Sequence, residues 1–127
     1  MTSSSAAEIH YGRVAPTICV RDIMAAQAFY SDVLGFAKVF ENGNPVGFMV
    51  MKKDDAEIHL SLDKDHRPST TNVAHMFVSD AASLYAHCQS AGVRIVKSLM
   101  DKEYGQRAFV MADPDGNRID IGERLQD

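Results

Sequence analysis

In the segment Glu57-Ile58-His59-Leu60-Ser61-Leu62 apolar and polar residues alternate strictly, the pattern of a strand with one buried face. Burying Ile58, Leu60 and Leu62 turns Glu57, His59 and Ser61 to the opposite side. The same rule sends Arg118 and Asp120 away from the core in Arg118-Ile119-Asp120-Ile121-Gly122, and Val73, His75 and Phe77 away in Val73–Val78. An imidazole held by a carboxylate can act as a general base, because histidine ordinarily titrates near neutrality. His59 with Asp120 is the candidate pair for that role. The same two groups could equally form a hydrogen-bonded ion pair that only stabilises the sheet. His75 reads as a structural histidine with its hydrogen bonds satisfied, or as part of the lining of an organic-ligand pocket.

The elements that must position these residues occur twice. Val20-Arg21-Asp22 is followed by Ala25, Ala28, Phe29, Tyr30 and then Leu34-Gly35-Phe36. Val78-Ser79-Asp80 is followed by Ala81, Leu84, Tyr85 and then Ala91-Gly92-Val93. Each copy predicts a strand, an Asp that caps a helix of about three turns, and a Gly that ends it. The copies lie about sixty residues apart, the length of one supersecondary unit rather than of a solenoid repeat. The whole chain reads as β-α-β-β-β twice, an α+β fold of two tandem modules.

In the first module the predicted elements are Val14–Val20, helix Ile23–Leu34, Ala37–Asn42, Gly47–Lys53 and Glu57–Leu62, with a turn at Asn42-Gly43-Asn44-Pro45. In the second they are Val73–Val78, helix Asp80–Ala91, Val93–Leu99, Arg107–Ala112 and Arg118–Glu123. Residues 1–13 are expected to form a flexible tail and 14–127 a single domain, with modules at about 14–62 and 73–124 joined by a linker at 63–72. Asp113-Pro114-Asp115-Gly116-Asn117 suits a type I turn with a Gly bulge closing the last hairpin. On the first strand the alternation leaves Ala15, Thr17 and Cys19 on the helix-free face. That face therefore collects Thr17, Cys19, His59, Ser61, His75, Phe77, Arg118 and Asp120, too polar for a second core and too apolar for a bare surface. A concave pocket accounts for the mixture. Phe48, in a strand apolar on both faces, is expected to form a wall of that cavity or a dimer seam.

Composition narrows the function classes. At 127 residues and 46% hydrophobic content the chain can bury a core without disulfide or metal staples. A formal net charge of −4 supplies no basic footprint for nucleic acid. No apolar run approaches the length of a membrane span. Cys19 and Cys88 share no metal-type spacing and read as reduced thiols of a cytoplasmic protein. Met1–Ala7 is rich in Ser and Ala without the apolar core of a signal peptide. His10, His66 and His87, in tail, linker and helix surface, are assigned no role.

The paired modules, the two Val-x-Asp joints, the Phe29-Tyr30…Leu34-Gly35-Phe36 segment and the run Tyr104-Gly105-Gln106-Arg107…Asp113-Pro114-Asp115-Gly116-Asn117 resemble the vicinal oxygen chelate superfamily, which holds glyoxalases, bleomycin resistance proteins and extradiol dioxygenases. The resemblance covers about Val14 to Arg124. It implies two curved mixed sheets cupping a cavity, commonly completed in a homodimer whose modules exchange partners. It also implies a test. Metal-dependent members place His or Gln on the first strand of each module and Glu on the last. Here the first-strand positions are Ala15 and Val73, which cannot bind metal, and the last-strand positions are His59 and Asp120, which can. Half of the usual set is missing. His75 lies two residues beyond Val73, roughly 6–7 Å along the strand. A displaced set of His59, His75 and Asp120 would have the two-histidine, one-carboxylate chemistry of an Fe(II) site.

The resemblance also puts Tyr104 and Arg107 beside the ligand crevice, where the alternative is a solvated hairpin entrance. The reading that follows is a metal-independent protein that binds an antibiotic-like or aromatic small molecule by sequestration, closest to the bleomycin-resistance branch. Thr17, Phe48, Ser61 and Phe77 would shape the pocket; His59, His75, Tyr104, Arg107 and Asp120 would anchor the ligand. No cofactor is expected, with a divalent metal as the alternative. The partners are a small-molecule ligand and a second copy of the chain. Two enzymatic alternatives stay open: a metal-dependent lyase or dioxygenase using His59, His75 and Asp120, and a cofactor-free enzyme with His59 as general base.

Overall fold

The computed structural model describes residues 8–126. The first module comprises β1 (Thr17–Val20), α1 (Ile23–Asp32), β2 (Ala37–Asn42), β3 (Phe48–Lys53) and β4 (Ala56–Leu62). The second comprises β5 (Asn72–Phe77), α2 (Ala81–Ser90), β6 (Arg94–Asp101), β7 (Gln106–Ala112) and β8 (Arg118–Arg124). This is the α+β arrangement of two βαβββ modules. The caps are the expected ones: Asp22 accepts from the Ala25 amide and Asp80 from the Ser83 amide, each satisfying a helix N–H that has no intrahelical partner. Gly35 and Gly92 leave the helices at φ +78° and +75°, a conformation costly for any residue with a Cβ. The first strand starts at Thr17 rather than Val14. Pro16 has no N–H to give a ladder, although its carbonyl still accepts from the His59 amide at 2.9 Å.

Each module forms a four-stranded sheet, ordered β1-β4-β3-β2 and β5-β8-β7-β6. In each, the first strand runs parallel to the last, which places Thr17 beside His59 and His75 beside Asp120. The repeat thus makes His59 and Asp120 equivalent positions, as it does Thr17 and His75. The back faces of both sheets, with the helices, form one continuous core. Ile18, Val20, Met49, Met51 and Leu60 from one sheet and Met111 and Ile121 from the other are fully buried in it. A fully buried aliphatic side chain of this size contributes about 1.5–3 kcal/mol. Among the described residues no helix packs on the front faces.

The turn Asp113–Asn117 does more than close a hairpin. Gly116 stands at φ +81° and donates to the Asp113 carbonyl, as a tight turn requires. All three polar side chains of the turn are buried. Asp113 accepts from the Asp115 and Asn117 amides, from Asn117 Nδ2 and, at 2.7 Å, from the Tyr30 hydroxyl of α1. Asp115 accepts from the backbone amide and the guanidinium of Arg21. Asn117 donates to the Cys19 carbonyl of β1, 2.9 Å away. The turn is the polar joint that locks the second sheet onto β1 and α1. Burial, reinforced by the Asp113 carboxylate, pushes the Tyr30 hydroxyl well above its usual pKa.

Candidate functional site

The front faces hold two histidine–carboxylate pairs, one per sheet, and neither is the pair expected from the sequence. On the first sheet His59 Nε2 lies 2.8 Å from Glu57, two residues away on the same strand face. The hydrogen bond from His59 is the main reason the Glu57 carboxyl lies below its usual pKa. The His59 ring also meets Phe48 edge-on at 5.4 Å, and Phe48 meets Phe40 at 6.4 Å. Thr17 and Ser61 flank this aromatic row through their pairing with His59 and Phe48.

On the second sheet His75 Nδ1 lies 2.8 Å from Asp120 Oδ2 across the parallel pair β5–β8. His75 packs edge-on against Phe77, centroids 4.7 Å apart, and the Arg124 guanidinium sits over the Phe77 ring at 4.3 Å. The geometry is an aromatic shelf with a cation on one side and an oriented imidazole on the other. Gly122, between them, leaves room for the Gln106 side chain beside His75. Gln106 Oε1 is buried and has no hydrogen-bond partner among the described residues.

Three arrangements considered from the sequence take a different form here. His59 and Asp120 do not pair with each other, because they occupy equivalent places on different sheets and each finds a nearer partner. His59, His75 and Asp120 do not converge as metal ligands within the chain, for the same reason. Among the described residues, the one group bringing three possible ligand atoms within 4.8 Å of one another is Cys19, Asp63 and His66. The residues therefore do not fit a superfamily-type metal site inside one chain. Arg107 is not on the front face at all. It shares its side of β7 with Phe109 and Met111 and binds Asp101 at 2.7 Å, which raises its pKa and lowers that of Asp101.

Two clefts adjoin these residues. A cleft of 260 Å³ opens at the seam between the modules, floored by Tyr30, Phe36, Ile58 and Met76 and edged by Glu57, His75 and Phe77. A smaller one of 180 Å³ on the second sheet is lined by Lys97, Lys102, Tyr104, Val110 and Asp120. Thr17, Phe48, His59 and Ser61 line neither of these two clefts. They sit on an open face, with Phe40 53% exposed at its rim. The sequence places Glu57 on this face without a role and does not single out Gln106 or Arg124. Strand alternation puts all three on the front side, but nothing in their types distinguishes them from solvated residues.

Residues 10–121 match the Glyoxalase/Bleomycin resistance protein/Dioxygenase superfamily. A bleomycin resistance protein from Geobacillus stearothermophilus is 29% identical over 129 residues, covering 87% of this chain and 96% of that one. The crystal structure of a superfamily member from Sphaerobacter thermophilus is 30% identical and superposes with a TM-score of 0.76, covering 91% of this chain and 98% of that one. The bleomycin-binding protein of Streptomyces verticillus, solved with copper(II)-bleomycin, shares the fold at a TM-score of 0.72 and 21% identity, covering 94% and 99% of the two chains.

Proposed function

The chain belongs to the Glyoxalase/Bleomycin resistance protein/Dioxygenase superfamily, and we propose that it binds an aromatic or mixed aromatic–cationic small molecule and withholds it without transforming it. The observation that carries this reading is the shelf on the second sheet: Phe77 between Arg124 and the Asp120-oriented His75. An aromatic ligand packs against the exposed part of such a surface beside the Arg124 cation. Asp120 supplies the negative charge a cationic group needs. Tyr104 borders the same area.

The first sheet supplies the opposite wall in a second copy of the chain. Phe40 and Met100 are each more than half exposed and Phe77 nearly so, all at the front faces, which suits faces made to be covered. In the resulting homodimer the Phe40–Phe48–His59 row of one protomer faces the Phe77 shelf of its partner, with Thr17 and Ser61 beside it. Each of two equivalent sites would draw on both chains.

One observation supports a second reading. Asp120 holds His75 through Nδ1, the arrangement of an oriented general base. Under cofactor-free catalysis the base is then His75 rather than His59. Calorimetric titration with bleomycin as probe tests the main reading. Saturable binding that Phe77→Ala weakens at least tenfold supports it. Absence of binding at millimolar probe overturns it for this ligand class.

A further inference from the structure

We propose that Cys19, Asp63 and His66 form a binding site for a single divalent ion of the zinc type, separate from the front-face shelf. The three residues come from β1, from the position just after β4, and from the connecting segment between the modules. One ligand atom from each lies within 4.8 Å of the other two. Thiolate, imidazole and carboxylate together are a common zinc donor set, and their two negative charges balance a divalent cation.

The surrounding hydrogen bonds prepare two of the ligands. Asn117 Nδ2 donates to the Cys19 carbonyl and to Asp113, so its Oδ1 is the acceptor that faces His66 Nε2 at 3.0 Å. His66 must therefore carry its proton on Nε2, which leaves the lone pair on Nδ1. The proposed ligand atom is therefore Nδ1, with Nε2–H held by an outer partner, a common arrangement of metal-binding histidines. Asp63 Oδ1 accepts from the Asp65 amide at 3.0 Å, which orients the carboxylate. The site is half-buried and opens to solvent at Asp63. Three protein ligands leave a fourth tetrahedral position for water.

Binding displaces the Cys19 thiol proton to solvent and changes no oxidation state. The ion would tie β1 to the inter-module segment at the point where the Asp113–Asn117 joint already holds them, linking metal occupancy to the packing of the two modules.

The test is titration of chelator-treated protein with cobalt(II) at pH 7.5, followed by absorption. A thiolate-to-cobalt charge-transfer band saturating at one equivalent is expected. Cys19→Ser should abolish the band, while Asp63→Asn and His66→Gln weaken binding at least about tenfold. Zinc should also protect Cys19 in the unmodified protein from alkylation, read by peptide mass, a measurement that requires no variant to fold. No band at millimolar cobalt overturns the proposal. So does a band that survives Cys19→Ser, or one lost in His75→Ala, or zinc that leaves the alkylation rate of Cys19 unchanged.

Discussion

Replacing Tyr30 with Phe removes one oxygen from the core and leaves the ring where it is, against Phe29 and Phe36 at 5.2 and 6.2 Å. No cavity forms, so the effect isolates the hydrogen bond to Asp113, 2.7 Å long and fully buried. A hydrogen bond to a charged group contributes about 1.5–3 kcal/mol, and Tyr30→Phe should lose that much near neutral pH. The alkaline limb provides an internal check. The hydroxyl's pKa is raised in the folded state, so its proton is held more tightly there than in the unfolded chain. Below the ordinary tyrosine pKa of about 10 both states are protonated and the contribution is fully present. Above it the unfolded state ionises first, and the contribution falls by roughly 1.4 kcal/mol per pH unit until the folded pKa is reached. The stability gap between the wild-type protein and Tyr30→Phe should therefore be constant from pH 7 to 9 and shrink above about 10. Urea unfolding followed by circular dichroism at pH 7, 9, 10.5 and 11 reads it directly. An equally stable Tyr30→Phe, or a gap unchanged at pH 11, would refute the account of the joint between the modules.

Other predictions concern the joint and the shelf. Gly116→Ala places a Cβ in the left-handed region, 2.6 Å from Pro68 Cβ, and should cost about 2–3 kcal/mol in urea unfolding. Phe77→Ala removes a ring that is 45% exposed, and should change stability by less than about 1 kcal/mol while weakening bleomycin at least tenfold in calorimetry. Asp120→Asn keeps a hydrogen-bond acceptor for His75 but removes the charge. It should weaken a cationic probe more than a neutral aromatic one, with equal losses counting against charge recognition. In analytical ultracentrifugation the wild-type protein should sediment as a dimer, and Phe40→Asp should shift it toward monomer; an unshifted distribution would remove the second copy from the site.

Much of this architecture is legible in single strands. Alternation put His59 and Ser61 opposite Ile58 and Leu60, and the observed register sets Thr17 beside His59 and His75 beside Asp120. The Asp caps and Gly stops located both helices to within two residues. Relations between distant segments were less legible. Asp113-Pro114-Asp115-Gly116-Asn117 carries every mark of a local turn, and nothing local says that its side chains are buried against Tyr30, Arg21 and Cys19. Partner choice was hidden in the same way: His59 is satisfied by a neighbour on its own strand, which leaves Asp120 to His75. Arg107 is a different case. Residues 108–112 are apolar throughout, so no alternation marks a face there, and Arg107 is assigned to the helix side only by the register of β7 against β8. His66 carried no signal because its meaning depends on Asn117, fifty-one residues away.

Sequestration is tested most directly by equilibrium dialysis of the protein against bleomycin, with mass spectrometry of the ligand recovered from the protein compartment. The account predicts retention up to one ligand per protomer, unchanged in mass, and the same retention after exhaustive chelation. A recovered ligand of altered mass, or no ligand retained above the free concentration, would contradict it.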